Sequence, residues 1–242
     1  MANRKVIAVG LDSPNNSVFE KWMDQGLLPN LAALRNESSC GIVSHRKINN
    51  DQNSWIPFLT GKSLQNIDHW LSTYQPRNYE NSENSLYNAH GHQPFYAVKG
   101  QARVVMFDLP VPITDNVDGI QIAGWATELN ETFSASIPPS AITEIHEKYG
   151  MDPKLDGALK YYNQEFERYS LSYQVPSPYD IGALRLFRDK VLASTATRGR
   201  ICRDLLQSED CDLFLTEFPE THTAGHTFWH LSQSHPLAGL SA

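Results

Sequence analysis

Cysteine is scarce in this sequence. Cys40, Cys202 and Cys211 are the only three in 242 residues, an odd and scattered set that offers no disulfide framework and suits reduced thiols in a cytoplasmic setting. Long apolar runs are also missing. No segment approaches the roughly 20 apolar residues that a membrane-spanning helix needs, and the apolar part of "MANRKVIAVGLDS" is too short for a signal-peptide core. Positive charge is in deficit, with 20 Lys and Arg against 27 Asp and Glu and a formal net charge of −7. That argues against a nucleic-acid polymer as the main partner, although a metal ion can supply local positive charge for a small phosphorylated ligand. What is there is a 40% hydrophobic content, enough for a sizeable core, and the length fits a single domain over 1–242.

"VIAVGL" (Val6 to Leu11) is a β-branched run without alternation, the pattern of a strand buried on both faces. It ends in the turn-rich "DSPNNS". A helix is expected next, with Ser17 as N-cap, Glu20 three residues on and Gly26 as the stop. "LPNLAALRNE" predicts a second helix with Leu28, Leu31 and Leu34 on one face, and "CGIVSH" another strand. "NSWIPFLTGK" opens a helix with Pro57 in its first turn. From 63 to 100 the composition turns polar, rich in Asn and Tyr, and reads as a surface excursion. Strands are expected again over Val104–Phe107 and Gly119–Trp125. Residues 129–152 read as loop, "DPKLDGALKYYNQEFERYSLSY" as helix, "YDIGALRLFRDKVLASTATRGRICRDLLQSE" as a long amphipathic helix, and Asp212 to Thr216 as a last buried strand. Strands alternating with helices predict an α/β fold with a mainly parallel sheet. Functional residues then gather at the carboxyl ends of the strands.

The last strand runs into "TEFPETHTAGHTFWH", which places three of the nine histidines within nine residues. His222 and His226, at i and i+4, share one helix face and suit a single Zn²⁺. The competing reading makes them surface polar residues at a helix start capped by Thr221. Placement after a buried strand, with Glu220 alongside and Gly225 allowing a close backbone approach, favours the metal. His230 and His235 read as surface residues. Asp12, after the first strand, is either a metal ligand or a turn residue. Asp51 and Ser54 precede a helix whose amino end favours an anion; Ser54 reads more simply as its N-cap. Asp108 reads as a turn residue.

The ordered blocks "VIAVGLDS" with "WMDQGLLPNLAALRNES", "WIPFLTGK", "VVMFDLP" with "GIQIAGW", and "DLFLTEFPETHTAGHTFWH" resemble the alkaline phosphatase superfamily, most closely its type I phosphodiesterase/nucleotide pyrophosphatase branch. The resemblance implies a helix-flanked parallel sheet carrying two divalent ions, Zn²⁺ in most members with Mn²⁺ or Mg²⁺ as alternatives, and hydrolysis of phosphoric esters through a Thr or Ser nucleophile. It implies metal-ligand roles for Asp12, Asp51, His222 and His226, and a place for Ser54 beside the substrate. Three features depart from the pattern. Asp51 stands at the nucleophile position, His222 stands where an Asp is expected, and nothing after His235 supplies the family's later Asp-His pair and final His.

The expectation is therefore the front portion of such an enzyme, with weak metal binding and little turnover by these residues without a C-terminal half or a partner chain. Two other functions fit the same residues. One is a non-catalytic relative binding a phosphorylated ligand or a protein partner; the other is a phosphomutase of the same superfamily.

Overall fold

The computed structural model describes residues 5–43, 55–61, 93–109, 113–126, 135–156, 159–163, 168–172 and 174–232. The first strand, β1 (Val6–Leu11), leads into α1 (Asn16–Asp24), α2 (Pro29–Glu37) and α3 (Trp55–Thr60). Then come β2 (Arg103–Phe107), β3 (Asp118–Ala123), β4 (Ala135–Ile137) and α4 (Ala141–Tyr149). A hairpin of β5 (Leu159–Asn163) and β6 (Arg168–Ser172) follows, and the long α5 (Ile181–Ser208), β7 (Leu213–Phe218) and α6 (Glu220–Phe228) complete the order.

Five strands form one sheet in the order β1-β7-β2-β3-β4. Neighbours are parallel except β3 and β4. The α/β class expected from the strand–helix alternation is present. β7, last in sequence, sits between β1 and β2, so the carboxyl ends of β1, β7 and β2 meet along one edge of the sheet. Such a change in strand order opens a crevice for ligands.

The core lies around the central strands. In β2, Val105 and Phe107 point to one face, where Ile142 and Ile145 of α4 and Ile201 and Leu205 of α5 cover them. Val104 and Met106 point to the other, beside Leu59 and Tyr96. β7 divides likewise, Phe214 to the first face and Leu215 to the second. Gly119 is obligatory in β3: its φ is +133°, and a Cβ there would stand 2.0 Å from the Val104 carbonyl oxygen.

Several expectations need correction. β1 is not buried on both faces: it is the terminal strand, and Val6, Ile7 and Val9 are each more than half exposed. Among the described residues only β7 flanks it, and α1 and α2 contribute no buried residue. Leu34 is accordingly exposed. Asn15, not Ser17, caps α1 by accepting the Val18 N–H at 3.0 Å, while Gly26 ends it at φ 72° as expected. Cys40 to Val43 form no strand, and Ile42 and Val43 are exposed.

Residues 129–152 hold β4 and α4 rather than a loop, because the Ser136 hydroxyl accepts the Ile142 N–H at 3.0 Å and starts a helix directly after two prolines. The stretch expected to be helical after Asp152 is the β5–β6 hairpin, in register Tyr161↔Ser170 and Tyr162↔Tyr169, in keeping with the strand preference of aromatic residues. Tyr96, within the supposed surface excursion, is a core residue; residues 63–92 lie outside the described residues. Among the described residues, no helix is long and apolar enough to cross a membrane.

The position of the core predicts unequal sensitivity to truncation. Phe214→Ala should cost about 3–5 kcal/mol, whereas Val9→Ala should stay within about 1 kcal/mol. Urea denaturation of the two variants beside the parent measures both.

Candidate functional site

Backbone pairing between β1 and β7 runs one residue past the strands, with the Asp12 N–H donating to the Phe218 carbonyl at 3.2 Å. Ser13 then takes φ 50°, a left-handed conformation uncommon in non-glycine residues, and its hydroxyl donates to Asp12 Oδ1 at 2.9 Å. On the adjacent strand Pro219 leads into α6. The Thr221 hydroxyl lies 2.6 Å from the Asp12 carbonyl oxygen and 3.1 Å from that of Phe218. It therefore stitches the two strand ends together instead of capping α6, the role it had in the competing surface reading of the histidines.

This stitch brings three sequence-predicted residues into one place. His222 Nδ1 stands 3.0 Å from Asp12 Oδ2 and 3.3 Å from Ser13 Oγ. The His222 and His226 rings lie 4.4 Å apart between centroids. Asp12 and His222 are about 28–29% exposed, open to a ligand from solvent. His230 is elsewhere, with Nε2 3.0 Å from the Pro178 carbonyl. Asp51 and Ser54 lie outside the described residues.

Two residues credited with supporting a metal do not do so. Glu220 points inward and is buried. Gly225 has open space where a Cβ would stand, so no close backbone approach requires it. Among the described residues, no group of three His, Cys, Asp or Glu side chains is disposed to hold one metal ion. Asp12, His222 and His226 nonetheless supply the right kinds of atom for zinc, one carboxylate and two imidazoles, with Asp12 and His222 at present bonded to each other.

Beneath this cluster lies a buried charge network that the sequence reading missed. Asp108 sits in the bend after β2 at φ 53°, as a turn residue would, but it is fully buried. Its carboxylate accepts the N–H groups of Trp125 at 2.8 Å and Ala126 at 2.9 Å. Arg198 Nη2 donates to Asp108 Oδ2 at 2.8 Å, and Arg198 Nε to Glu220 Oε1 at 3.1 Å. Ser194 also donates to Glu220 Oε1, at 2.8 Å. Burial works against the guanidinium charge, but Asp108 and Glu220 outweigh it and raise the Arg198 pKa. Nearby, buried Asp152 and Lys154 pair at 3.6 Å. The signal for Arg198 was present in the sequence: it falls on the apolar stripe of α5, between Val191 and Ile201.

Glu217 on β7 is buried as well. Burial first, and then the negative charge of Asp12, push its pKa up to about 9, with Arg198 opposing. It is thus a neutral acid near pH 7 between the exposed cluster and the buried network.

No protein-family model, curated protein or solved structure matches this chain.

The Glu217 environment predicts a pH dependence of stability. Its folded pKa lies above the ordinary 4.5, so the folded protein keeps a proton that the unfolded chain releases. The stability from this proton is full below pH about 4.5 and declines as pH rises towards 9. Glu217→Gln should remove that decline, its stability relative to the parent rising between pH 5 and pH 9. Urea titrations in chelator-treated buffer test this; parallel pH profiles would refute it.

Proposed function

We propose that this protein is a metal-dependent hydrolase of phosphoric esters, with an alkaline-phosphatase-like fold of the phosphodiesterase/nucleotide pyrophosphatase kind. The observation that supports this reading is the convergence of Asp12, His222 and His226 at the joined ends of two parallel strands, where Asp12 Oδ2 and His222 Nδ1 are 3.0 Å apart. To hold a divalent ion, Zn²⁺ by the softness of the imidazole donors, these three side chains would have to break the Asp12–His222 contact and turn their free atoms towards one point. Asp51 joins them in this reading on the strength of the resemblance, as a further ligand at the nucleophile position, with Ser54 beside the substrate. Ligands for a second ion would come from Asp51 or from a partner chain.

A bound zinc ion would supply Lewis-acid charge to a phosphoryl oxygen. The protein's own residues do the rest. Asp12 offers the only carboxylate of the described cluster, and Ser13 keeps one of its oxygens bonded. His222 and His226 remain neutral donors when a metal takes their nitrogen lone pairs. Glu217, protonated near neutral pH, spares a phosphorylated substrate another negative charge nearby. The substrate in this reading is small, since the overall charge of −7 disfavours long polyanions.

Zinc titration against a chromophoric chelator tests the reading directly. The parent protein should bind one zinc ion, weakly for want of a full ligand set, and His222→Ala/His226→Ala should weaken that binding at least about tenfold. Absence of stoichiometric zinc in the parent would refute the proposal. Hydrolysis of bis-p-nitrophenyl phosphate by the zinc-loaded protein, lost in Asp12→Ala, separates the hydrolase from a binding relative that holds metal without turnover.

A further inference from the structure

The interior of this protein holds more acid than base. Among the described residues, the buried carboxyl groups are Asp108, Asp152, Glu217 and Glu220, and the buried cations are Lys154 and Arg198. His146 faces Asp108, but burial holds its pKa below the ordinary value, so it adds no charge near neutral pH. An ionised group out of water must be paired, and one left over takes a proton instead. Two cations balance two carboxylates. Two of the four carboxyls are therefore in excess, and Glu217, whose pKa rises to about 9, is one of them.

Hydrogen bonding identifies the other. Asp108 accepts from the N–H groups of Trp125 and Ala126 and from Arg198. Glu220 accepts from Ser194 and Arg198 through Oε1. Asp152 has less. Its Oδ1 accepts the Lys154 N–H at 2.9 Å, at the head of the short turn Pro153–Leu155. Its Oδ2 is buried without a hydrogen-bond partner, and Lys154 Nζ stands 3.6 Å away, beyond hydrogen-bond length. Ser194 lies beside Asp152 as well, but a hydroxyl has one proton, and this one points to Glu220 at 2.8 Å. Of the three carboxyls around the two cations, Asp152 is the one least supported in its charged form. Burial raises its pKa despite Lys154 and Ser194, and the charge of Glu220 adds to the rise.

From this imbalance we propose that Asp152 is a proton-dependent latch: its carboxyl proton holds the turn Pro153–Leu155 against α5 and α6, and ionisation at rising pH releases that turn. The proton supplies a donor where Oδ2 has none, and Ser194 Oγ has a lone pair to receive it. Asp152 faces Lys154 on its own turn, Ser194 on α5 and Glu220 on α6, with Arg198 and Asp108 behind Glu220. Lys190 of α5 is engaged elsewhere, with Asp156. While Asp152 is neutral, Lys154 and Arg198 balance Asp108 and Glu220. Once it ionises, one buried negative charge has no counterpart. The turn has an escape route, since Met151 before it and Asp156 after it are exposed. Its movement would be felt at α6, because Lys154 Nζ lies 3.5 Å from Thr223 Oγ1.

The sign follows from the direction of the shift. The folded pKa lies above the ordinary 3.8, so the latch is fully closed below that pH and weakens as pH rises through the folded value. Carbon-detected NMR of the Asp152 carboxyl tests this, together with hydrogen exchange of the Leu155 and Asp156 amides, which bond within the turn. Exchange rates are corrected for their intrinsic pH dependence. The Asp152 midpoint should lie above that of an aspartate in an unstructured peptide. Protection of the two amides should fall across the same midpoint, by about tenfold in total for each pH unit separating the two midpoints. Asp152→Asn, uncharged at every pH and still able to accept the Lys154 N–H, should keep its protection. A midpoint at or below the peptide's would overturn the proposal. So would unchanged protection across a raised midpoint, or the same fall in Asp152→Asn. If Asp152→Asn does not fold, the midpoint and the protection of the parent decide. Neither readout involves zinc, so the outcome is independent of the proposed function.

Discussion

A guanidinium with no exposed surface, held between two buried carboxylates, is the interaction that joins the centre of the sheet to the helix carrying His222 and His226. Taking ions out of water costs several kcal/mol per ion even after relaxation, so Arg198, Asp108 and Glu220 are tolerable only together. Each is held by directed bonds as well as by charge, although Arg198 Nη1 and Glu220 Oε2 have no hydrogen-bond partner. Asp108 has two backbone N–H groups, Glu220 has Ser194 and the Arg198 Nε, and the guanidinium plane lies among three aromatic rings. The three residues come from β2, α5 and α6, so the network acts as a joint between the middle of the sheet and the helix that leaves its end.

The joint matters because the two sides of the sheet end are built differently. Around β2 and β7, apolar side chains pack on both faces and leave the central strands almost without solvent. α6 has a polar buried face and is positioned by hydrogen bonds. Polar anchoring costs more desolvation than apolar packing but defines a direction, and two imidazoles with rings 4.4 Å apart need a direction more than they need area. The same polarity extends to Glu217, whose proton is held by burial and by the charge of Asp12. The exposed cluster and the buried network are therefore coupled electrostatically as well as mechanically.

At the other edge of the sheet, β1 delivers Asp12 to this cluster while adding little to the core. Val6, Ile7 and Val9 are exposed, Ala8 is partly buried, and α1 and α2 contribute no buried residue. What holds β1 is its parallel ladder with β7, continued by the Asp12 N–H and by Thr221. The carboxylate at its end is consequently placed by backbone register, and the histidines opposite it by side-chain bonds.

Much of this fold was legible in the sequence. The apolar runs at Val6, Val104 and Leu213 mark strands, the apolar stripe from Leu184 to Leu205 marks α5, and the placement of Asp12 and His222 after strands anticipated their meeting. These are local properties: strand propensity, helical periodicity and turn chemistry act over a few residues and survive without knowledge of neighbours. Burial is not local. "VIAVGL" and "RVVMF" look alike in composition, yet one is a half-exposed edge and the other the centre of the core, because sheet order is set by the return of β7 between them. The tyrosine-rich stretch after Asp152 became a hairpin because cross-strand pairing overrode a weak helical pattern. Asp108 read as a turn residue because its partners, Trp125, Ala126 and Arg198, lie 17 to 90 positions away. The sequence determined which elements form and where chemistry-bearing residues fall on them. Only the tertiary structure decided which charges are buried together, since desolvation and ion pairing depend on distances between residues far apart in the chain.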